Sequence, residues 1–345
     1  MKIHYHGDFD GLSGAVILAD FFINGLERKD VCWDYVVYSY SNDWQHKKLT
    51  GTDNAVIDFP FHEDADWWFD HHETSFGEYS REFVENHKST PYSTKPDYTN
   101  LRWDPEKRKY DQIVEENLPQ YRYPHKYWKY DKQANSAAQV VLDYLKDTFD
   151  YHNRAFDEMM HWANIIDSAN YESSEQANDL TCPYIKFNSI MEYYPKKDAN
   201  LNSIVGLFLQ GKSINEIIEV DFCKEIIDKM NAKIIKGREI ISKHGTYKND
   251  IFYSFVEEER DDYAFPRYWW YNIENCKYHV VCLNQGDNYV YRVGKNPFIK
   301  FEDDINFGEI CQKYGGGGHA AVGAIIYKGN NPRKIYEEII DMLEE

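Results

Sequence analysis

Five short runs of this 345-residue chain carry side chains or backbone that could do chemistry. The first is His6-Gly7-Asp8-Phe9-Asp10-Gly11, an imidazole and two carboxylates spaced two apart. On extended backbone, side chains two apart fall on one side, so this run can offer several ligands to one cation. It also suits a helix cap, with Asp10 serving the helix N-terminus. The second is Asp58, which closes the apolar run Ala55-Val56-Ile57; a lone acid there is also an ordinary loop residue. The third, Asp70-His71-His72, again follows an apolar stretch. Imidazole is a common metal ligand and a neighbouring carboxylate commonly orients it, although two histidines and an acid also decorate surfaces. The fourth is Asp167, after Trp162-Ala163-Asn164-Ile165-Ile166. The fifth is Tyr314-Gly315-Gly316-Gly317-Gly318-His319. Four glycines let backbone N–H groups approach a phosphate unobstructed, and His319 is placed to donate to the same anion. A flexible linker is the plainer reading, but linkers rarely lie between a helix and an apolar strand.

The elements that must position these residues alternate at first between strand and helix. Residues 2–6, 34–40, 54–59 and 65–69 read as strands and 12–22 as an apolar helix, which predicts a parallel sheet covered on both faces. Ligands of such sheets sit at the carboxyl ends of the strands. His6, Asp8, Asp10, Asp58, Asp70, His71 and His72 are therefore expected on one rim. Residues 80–132 break the pattern, helices return at 136–145 and 156–166, and residues 216–243 read as one or two amphipathic helices. Short strands dominate from Asp250 onward, and a helix over 332–343 closes the chain. The fold class expected is α/β. A parallel-sheet N-terminal domain (1–195) is joined by a helical connector (196–245) to a smaller α+β C-terminal domain (246–345) carrying the glycine run.

Charge narrows the function. Fifty-eight Asp and Glu against 39 Lys and Arg give −19, which repels a long duplex nucleic acid over most of the surface. A small anionic substrate remains compatible. No apolar run approaches the roughly 20 residues that cross a bilayer, and the first residues lack a secretory apolar stretch. Six scattered cysteines without a CxxC pair suit reduced thiols, so a cytoplasmic protein is expected.

In this order, HGDFDG, Asp58, DHH, Asp167 and GGGGH resemble the DHH phosphoesterase superfamily with its associated C-terminal substrate domain. That group includes RecJ-like exonucleases, nano-RNases and cyclic di-AMP phosphodiesterases. The matching stretches are 2–20, 54–73, 130–170 and roughly 278–328. The resemblance implies one metal held by His6, Asp8 and Asp58 and a second by Asp10, Asp58, His71 and Asp167, with Asp58 bridging. His4 rivals His6 as a ligand. His72 then contacts substrate phosphate and Asp70 orients it, while Arg292, Gly315, Gly316, Gly317, Gly318 and His319 grip the substrate. Departures are Gly14 where serine is frequent, Asp167-Ser168-Ala169 for Asp-Thr-Gly, and the residues flanking Arg292.

Mixed imidazole and carboxylate donors suit Mn²⁺, with Mg²⁺ or Co²⁺ as substitutes. Two ions about 3.5–4 Å apart stabilise the attacking and leaving oxygens of an in-line displacement. The expected activity is hydrolysis of short oligonucleotides or of cyclic or linear dinucleotides to 5′-mononucleotides, and closure of the second domain over the first is expected to complete the site. A pyrophosphatase or polyphosphatase and a non-catalytic nucleotide sensor are the competing readings. No membrane partner is expected, and homodimerisation is left open. Residues 81–132 hold eleven Lys and Arg against nine acids, a balance of +2, with ten aromatics, among them Trp103, Tyr110, Tyr121, Tyr123, Tyr127 and Trp128. Such interleaving suits a lid that stacks bases, and equally an elaboration packed on its own domain.

Overall fold

The computed structural model describes residues 1–36, 44–51, 53–72, 75–86, 101–104, 109–112, 127–193, 200–259, 263–265, 267–272, 274–318 and 320–344. His319 and Arg108, with Tyr121 and Tyr123, lie outside them, as do the side chains of Trp103 and Tyr110. The chain divides into two compact units, Met1–Asn170 with Phe187–Cys223, and Tyr171–Lys186 with Lys224–Glu345.

The first unit runs β1 (Lys2–His6), α1 (Phe9–Asp20), β2 (Cys32–Val36), β3 (Asn54–Ile57), β4 (Trp67–Asp70), α2 (Arg81–Asn86), β5 (Leu101–Asp104), β6 (Lys109–Gln112), β7 (Tyr127–Tyr130), α3 (Ala137–Phe149) and α4 (Asp157–Asp167). Strands β2-β1-β3-β4-β7 form one sheet in that order, every neighbouring pair parallel. Every residue of β3 and β4 is buried, as expected for a parallel sheet covered on both faces. Val56 and Trp68 pack on one face with Phe59, Phe61, Val84 and Trp44. Trp67 points to the other, against Phe21 and Phe22 at the end of α1 and Phe149 at the end of α3. Each aromatic pair adds about 0.5–1.5 kcal/mol beyond its buried area. At Gly14 a Cβ would lie 2.7 Å from Ile57 Cγ2, so glycine is what lets α1 sit this close to β3.

Strand β7 revises the reading of the insertion. Tyr127 and Trp128 pair with Trp67 and Trp68 in the central sheet, and the Tyr127 ring stacks on Trp67 at 4.1 Å between centroids. These two half-buried aromatics belong to the edge strand of the sheet, and no lid can be built from them. The antiparallel pair β5–β6 is the regular structure described between α2 and β7.

After α4 come α5 (Ser174–Ala177), α6 (Pro183–Tyr193), α7 (Asn200–Leu209), α8 (Ile214–Ile217) and the 24-residue α9 (Asp221–His244). The second unit continues with β8 (Gly245–Lys248), β9 (Ile251–Val256), β10 (Tyr278–Asn284), β11 (Tyr289–Lys295), α10 (Phe307–Gln312), β12 (Gly317–Gly318), β13 (Val322–Tyr327) and α11 (Pro332–Glu344). Its six strands order as β12-β13-β11-β10-β9-β8, with only β9–β10 parallel. Val280 and Cys282 face one core with α10 and α11, while Val281 and Leu283 face another with Ile240 and Ile241 of α9. This alternation is the period of two that a sheet covered on both faces needs. Among the described residues no helix is long and apolar enough to cross a membrane.

Candidate metal centre

Counting only the strands of the first sheet in chain order, the arrangement is 2-1-3-4-5, whose direction reverses between β1 and β3. Ligands of open parallel sheets bind at that reversal, beyond the carboxyl ends of the strands. His6 ends β1, Asp58 directly follows β3, and Asp70 ends β4. Three adjacent strands thus deliver three candidate side chains to one rim. Asp58 adopts φ +56°, a left-handed conformation that Asp tolerates better than most residues, and such strained backbone concentrates at functional sites. Its backbone N–H donates to Phe69 O at 2.9 Å, which ties the turn to β4.

The donors fall into overlapping sets. His6, Asp8 and Asp58 form one set; Asp10, His71 and Asp167 another; Asp58, Asp70, His71 and His72 a third, each with ligand atoms within 4.8 Å of one another. His6 Nδ1 lies 2.7 Å from Asp8 Oδ2 and 3.2 Å from Asp58 Oδ2. His71 Nε2 lies 3.2 Å from Asp167 Oδ2, 3.7 Å from Asp10 Oδ2 and 4.0 Å from Asp58 Oδ1. Asp58 faces both groups. His4 belongs to neither: it is buried against Trp44, and its Nε2 meets Asn54 Oδ1 at 3.4 Å. Burial, with Lys2 nearby, pushes its pKa down to about 4.

Local sequence explains how each donor is held. Asp8 is the N-cap of α1, its Oδ1 accepting from Gly11 N at 2.9 Å while Oδ2 faces His6. Asp10 therefore does not cap its own helix. Its buried carboxylate instead accepts from Ala137 N at 2.6 Å and Ala138 N at 2.8 Å, the first turn of α3. An anion is favoured there because a helix N-terminus presents unsatisfied N–H groups. Gly11 is required by proximity, since a Cβ would fall 2.3 Å from His6 O. Asp167 ends α4, a helix and not a strand. Ser136 Oγ, at the start of α3, donates to Asn164 Oδ1 at 2.6 Å and fixes that end of α4 beside His71. Asp70 Oδ1 accepts from His71 N, His72 N and His72 Nδ1, the last at 2.9 Å. That suits an orienting carboxylate.

Burial and crowded carboxylates set the electrostatics of the cluster. Burial, then the charges of Asp8, Asp10, Asp70 and Asp167, hold the Asp58 carboxyl well above its ordinary range. Burial, Asp167 and Asp8 do the same to Asp10, against the pull of the Ala138 and Ala137 amides. Burial and Asp8 push Asp167 to about 7. Burial disfavours a charged His6, but Asp8 outweighs it and raises the ring's pKa. The His6 cation likewise overcomes burial at Asp8, which falls to about 2. His72 rises because its bond to Asp70 outweighs burial, whereas burial and His72 lower His71.

His71 tests whether a metal fits. Its Nδ1 lies 3.2 Å from Ala134 O, an acceptor, so that nitrogen carries the proton. Nε2 then turns a lone pair toward three carboxylates, buried and without a hydrogen-bond partner among the described residues. A lone pair facing anions is repelled unless a cation lies between them. Imidazole with its second nitrogen bound to a carbonyl is the usual state of a metal-ligating histidine. The residues present fit a divalent cation at His6, Asp8 and Asp58 and another at Asp10, His71 and Asp167, with Asp58 Oδ1 4.0 Å from His71 Nε2.

In the second unit the glycine run is less open than its composition suggests. Gly315 N and Gly316 N donate to Gln312 O and Cys311 O at the end of α10, at 3.1 and 2.9 Å. Gly317 and Gly318 pair with Ala324 and Gly323 as β12. A Cβ at Gly316 would lie 2.2 Å from Ala324 O, so close approach to β13 is what demands glycine there. Gly315, Gly317 and Gly318 are exposed, and the N–H of Gly315 is already committed to Gln312 O. Arg292, on β11, lies over the Phe265 ring at 5.3 Å.

No family model and no curated protein sequence matches the chain. Among solved structures, the pGpG-specific phosphodiesterase PggH from Vibrio cholerae superposes with a TM-score of 0.68 at 20% identity, covering 99% of this chain and 98% of its own. The fold is that of the DHH phosphoesterases. An exopolyphosphatase-related protein from Bacteroides fragilis (TM-score 0.46, 10% identity, 100% and 93% covered) and RecJ with Mn²⁺ from Thermus thermophilus (0.47, 11%, 98% and 51%) are more distant and say nothing further about the site. Within the Asp70-His71-His72 run the side chains face different partners. His71 faces the carboxylates, His72 turns one nitrogen to Asp70, and Asp70 Oδ2 stays buried without a hydrogen-bond partner among the described residues.

Proposed function

We propose that the chain is a metal-dependent phosphodiesterase that hydrolyses short oligonucleotides or cyclic or linear dinucleotides to 5′-mononucleotides. The observation that carries this is the pair of neighbouring donor sets, His6-Asp8-Asp58 and Asp10-His71-Asp167, with Asp58 a member of the first and 4.0 Å from His71 of the second. His6, Asp8 and Asp58 would hold one divalent cation and Asp10, Asp58, His71 and Asp167 the other. Two such ions supply the charge that stabilises attacking and leaving oxygens in an in-line displacement. Nitrogen and oxygen donors together favour Mn²⁺, with Mg²⁺ or Co²⁺ as substitutes.

The chain's own groups position the substrate. Asp70 holds Nδ1 of His72 and raises the ring's pKa, which favours the cation whose other nitrogen would donate to a phosphate oxygen. The second unit is the substrate-binding domain in this reading, gripping a phosphate through Arg292, the exposed backbone of Gly317 and Gly318, and His319. The name of PggH, a pGpG-specific phosphodiesterase of the same fold and nearly the same extent, supports a dinucleotide-sized substrate. The net charge of −19 disfavours a long polymer. A screen with Mn²⁺ over di- to pentanucleotides, pGpG, cyclic di-AMP and pyrophosphate tests the reading. Release of 5′-mononucleotides from the shortest substrates is expected. Turnover of pyrophosphate alone, or binding without turnover, would overturn it.

A further inference from the structure

Next to Arg292 the second unit carries three half-buried aromatic rings that neither the metal cluster nor the phosphate grip uses. Tyr268 and Tyr271 are near-parallel, their planes 21° apart and centroids 6.5 Å apart. Phe298 stands nearly perpendicular to both, at 5.5 Å and 77° from Tyr268 and at 5.9 Å and 83° from Tyr271. The three give two faces oriented alike and a wall at right angles.

Each tyrosine is held in place at some cost. Tyr268 has φ +62°, a conformation unusual for a bulky residue. Ser174 Oγ donates to its carbonyl at 2.7 Å, and Tyr271 N donates to the same oxygen at 3.1 Å. The Tyr271 hydroxyl meets His279 Nδ1 at 2.7 Å. His279 is buried, and burial together with the charge of Arg292 lowers its pKa to about 3, so the hydroxyl shares a hydrogen bond with a neutral imidazole and the ring is fixed. Arg292 itself acts electrostatically on both Tyr268 and His279. A strained backbone that leaves an aromatic ring half out of the core, beside an arginine, is not what simple core packing needs. Aromatic faces beside a guanidinium are what a base with its attached phosphate requires.

We propose that Tyr268, Tyr271 and Phe298 form the stacking platform for one base of the substrate, with Arg292 on the phosphate of the same nucleotide. This rests on the phosphodiesterase reading and adds the part of the substrate it recognises. It also moves base recognition from the 81–132 insertion to the β10–β11 side of the second unit.

The test is titration of the full-length, metal-free protein with a dinucleotide carrying 2-aminopurine, whose fluorescence falls on stacking, in competition with the same dinucleotide made abasic. The wild type is expected to quench the probe and to bind it about tenfold or more tighter than the abasic form. Tyr268→Leu and Phe298→Leu, which keep apolar bulk without a π-face, should erase that difference, and Tyr268→Phe should keep it. Equal binding of both forms by the wild type would overturn the platform, as would leucine variants of unchanged melting temperature that retain the preference. Mn²⁺-dependent hydrolysis of bis(p-nitrophenyl) phosphate by the wild type is scored separately. Base preference without hydrolysis leaves the platform and sinks the catalytic reading; hydrolysis without base preference does the reverse.

Discussion

Replacing Asp58 by Asn should have opposite effects on the metal-free and metal-loaded protein. Asp58 is fully buried and shares donor sets with Asp8 on one side and Asp70 on the other, all ligand atoms within 4.8 Å. Two like charges at that distance repel by about 3.5 kcal/mol at an effective dielectric near 20. The rings of His6 and His72, 3.2 and 3.4 Å from Asp58, offset part of this. Asn keeps the shape, tolerates φ +56° and removes the charge, so the metal-free variant should gain about 1–2 kcal/mol. For a unit of this size each kcal/mol is worth about 2–4 °C, which predicts a melting point about 2–8 °C above wild type in EDTA. With Mn²⁺ at a hundred times its dissociation constant, the wild type should gain about 2.7 kcal/mol per ion. The variant, lacking the shared ligand, should gain far less and lose turnover. Thermal melts with EDTA and with MnCl₂, alongside a mononucleotide-release assay, read all of this. A metal-free variant melting below wild type, or one with the full Mn²⁺ gain, would refute the shared-carboxylate argument.

His4→Gln should leave Mn²⁺ affinity unchanged while His6→Ala abolishes it in calorimetric titration, because only His6 faces Asp8 and Asp58. Gly11→Ala should lower the urea midpoint by an amount equivalent to about 1–3 kcal/mol and weaken Mn²⁺ binding, since the new Cβ collides with the His6 carbonyl. The pKa of His279 is depressed from 6.5 to about 3. Its contribution is therefore present above pH 6.5 and lost as pH falls from 6.5 toward 3, so chemical denaturation of the wild type should weaken across that window more steeply than that of His279→Gln.

The clustering of many of the candidate ligands was legible because several of them end apolar strands. His6, Asp58 and Asp70 each close a short hydrophobic run, and a parallel sheet must bring such ends to one rim. Asp167 follows the run expected as a helix over 156–166 and does end a helix, α4. Strand β7 was not legible. Tyr127-Trp128-Lys129-Tyr130 follows a long polar insertion and lies at the sheet edge, where a charged residue is tolerated and the apolar signal weakens. The second role of Asp10 was equally hidden, because its partners lie 127 and 128 residues away. The glycine run misled in part. Composition cannot separate a glycine needed for an open face from one needed where another strand comes close. Gly316 is of the second kind. The grouping of Tyr268, Tyr271 and Phe298 escaped notice because the two tyrosines flank and enter a 3₁₀ turn while Phe298 comes from a distant loop.

The carboxylate of Asp10 holds the amides of Ala137 and Ala138 with both of its oxygens. An ion drawing on those oxygens makes them poorer acceptors, and a proton on either removes one acceptor outright. The opening of α3 is therefore wired to the loading state of the cluster. Deuterium uptake at these two amides should report ion binding from a helix that contributes no ligand of its own, and it should do so in a variant too crippled to turn anything over.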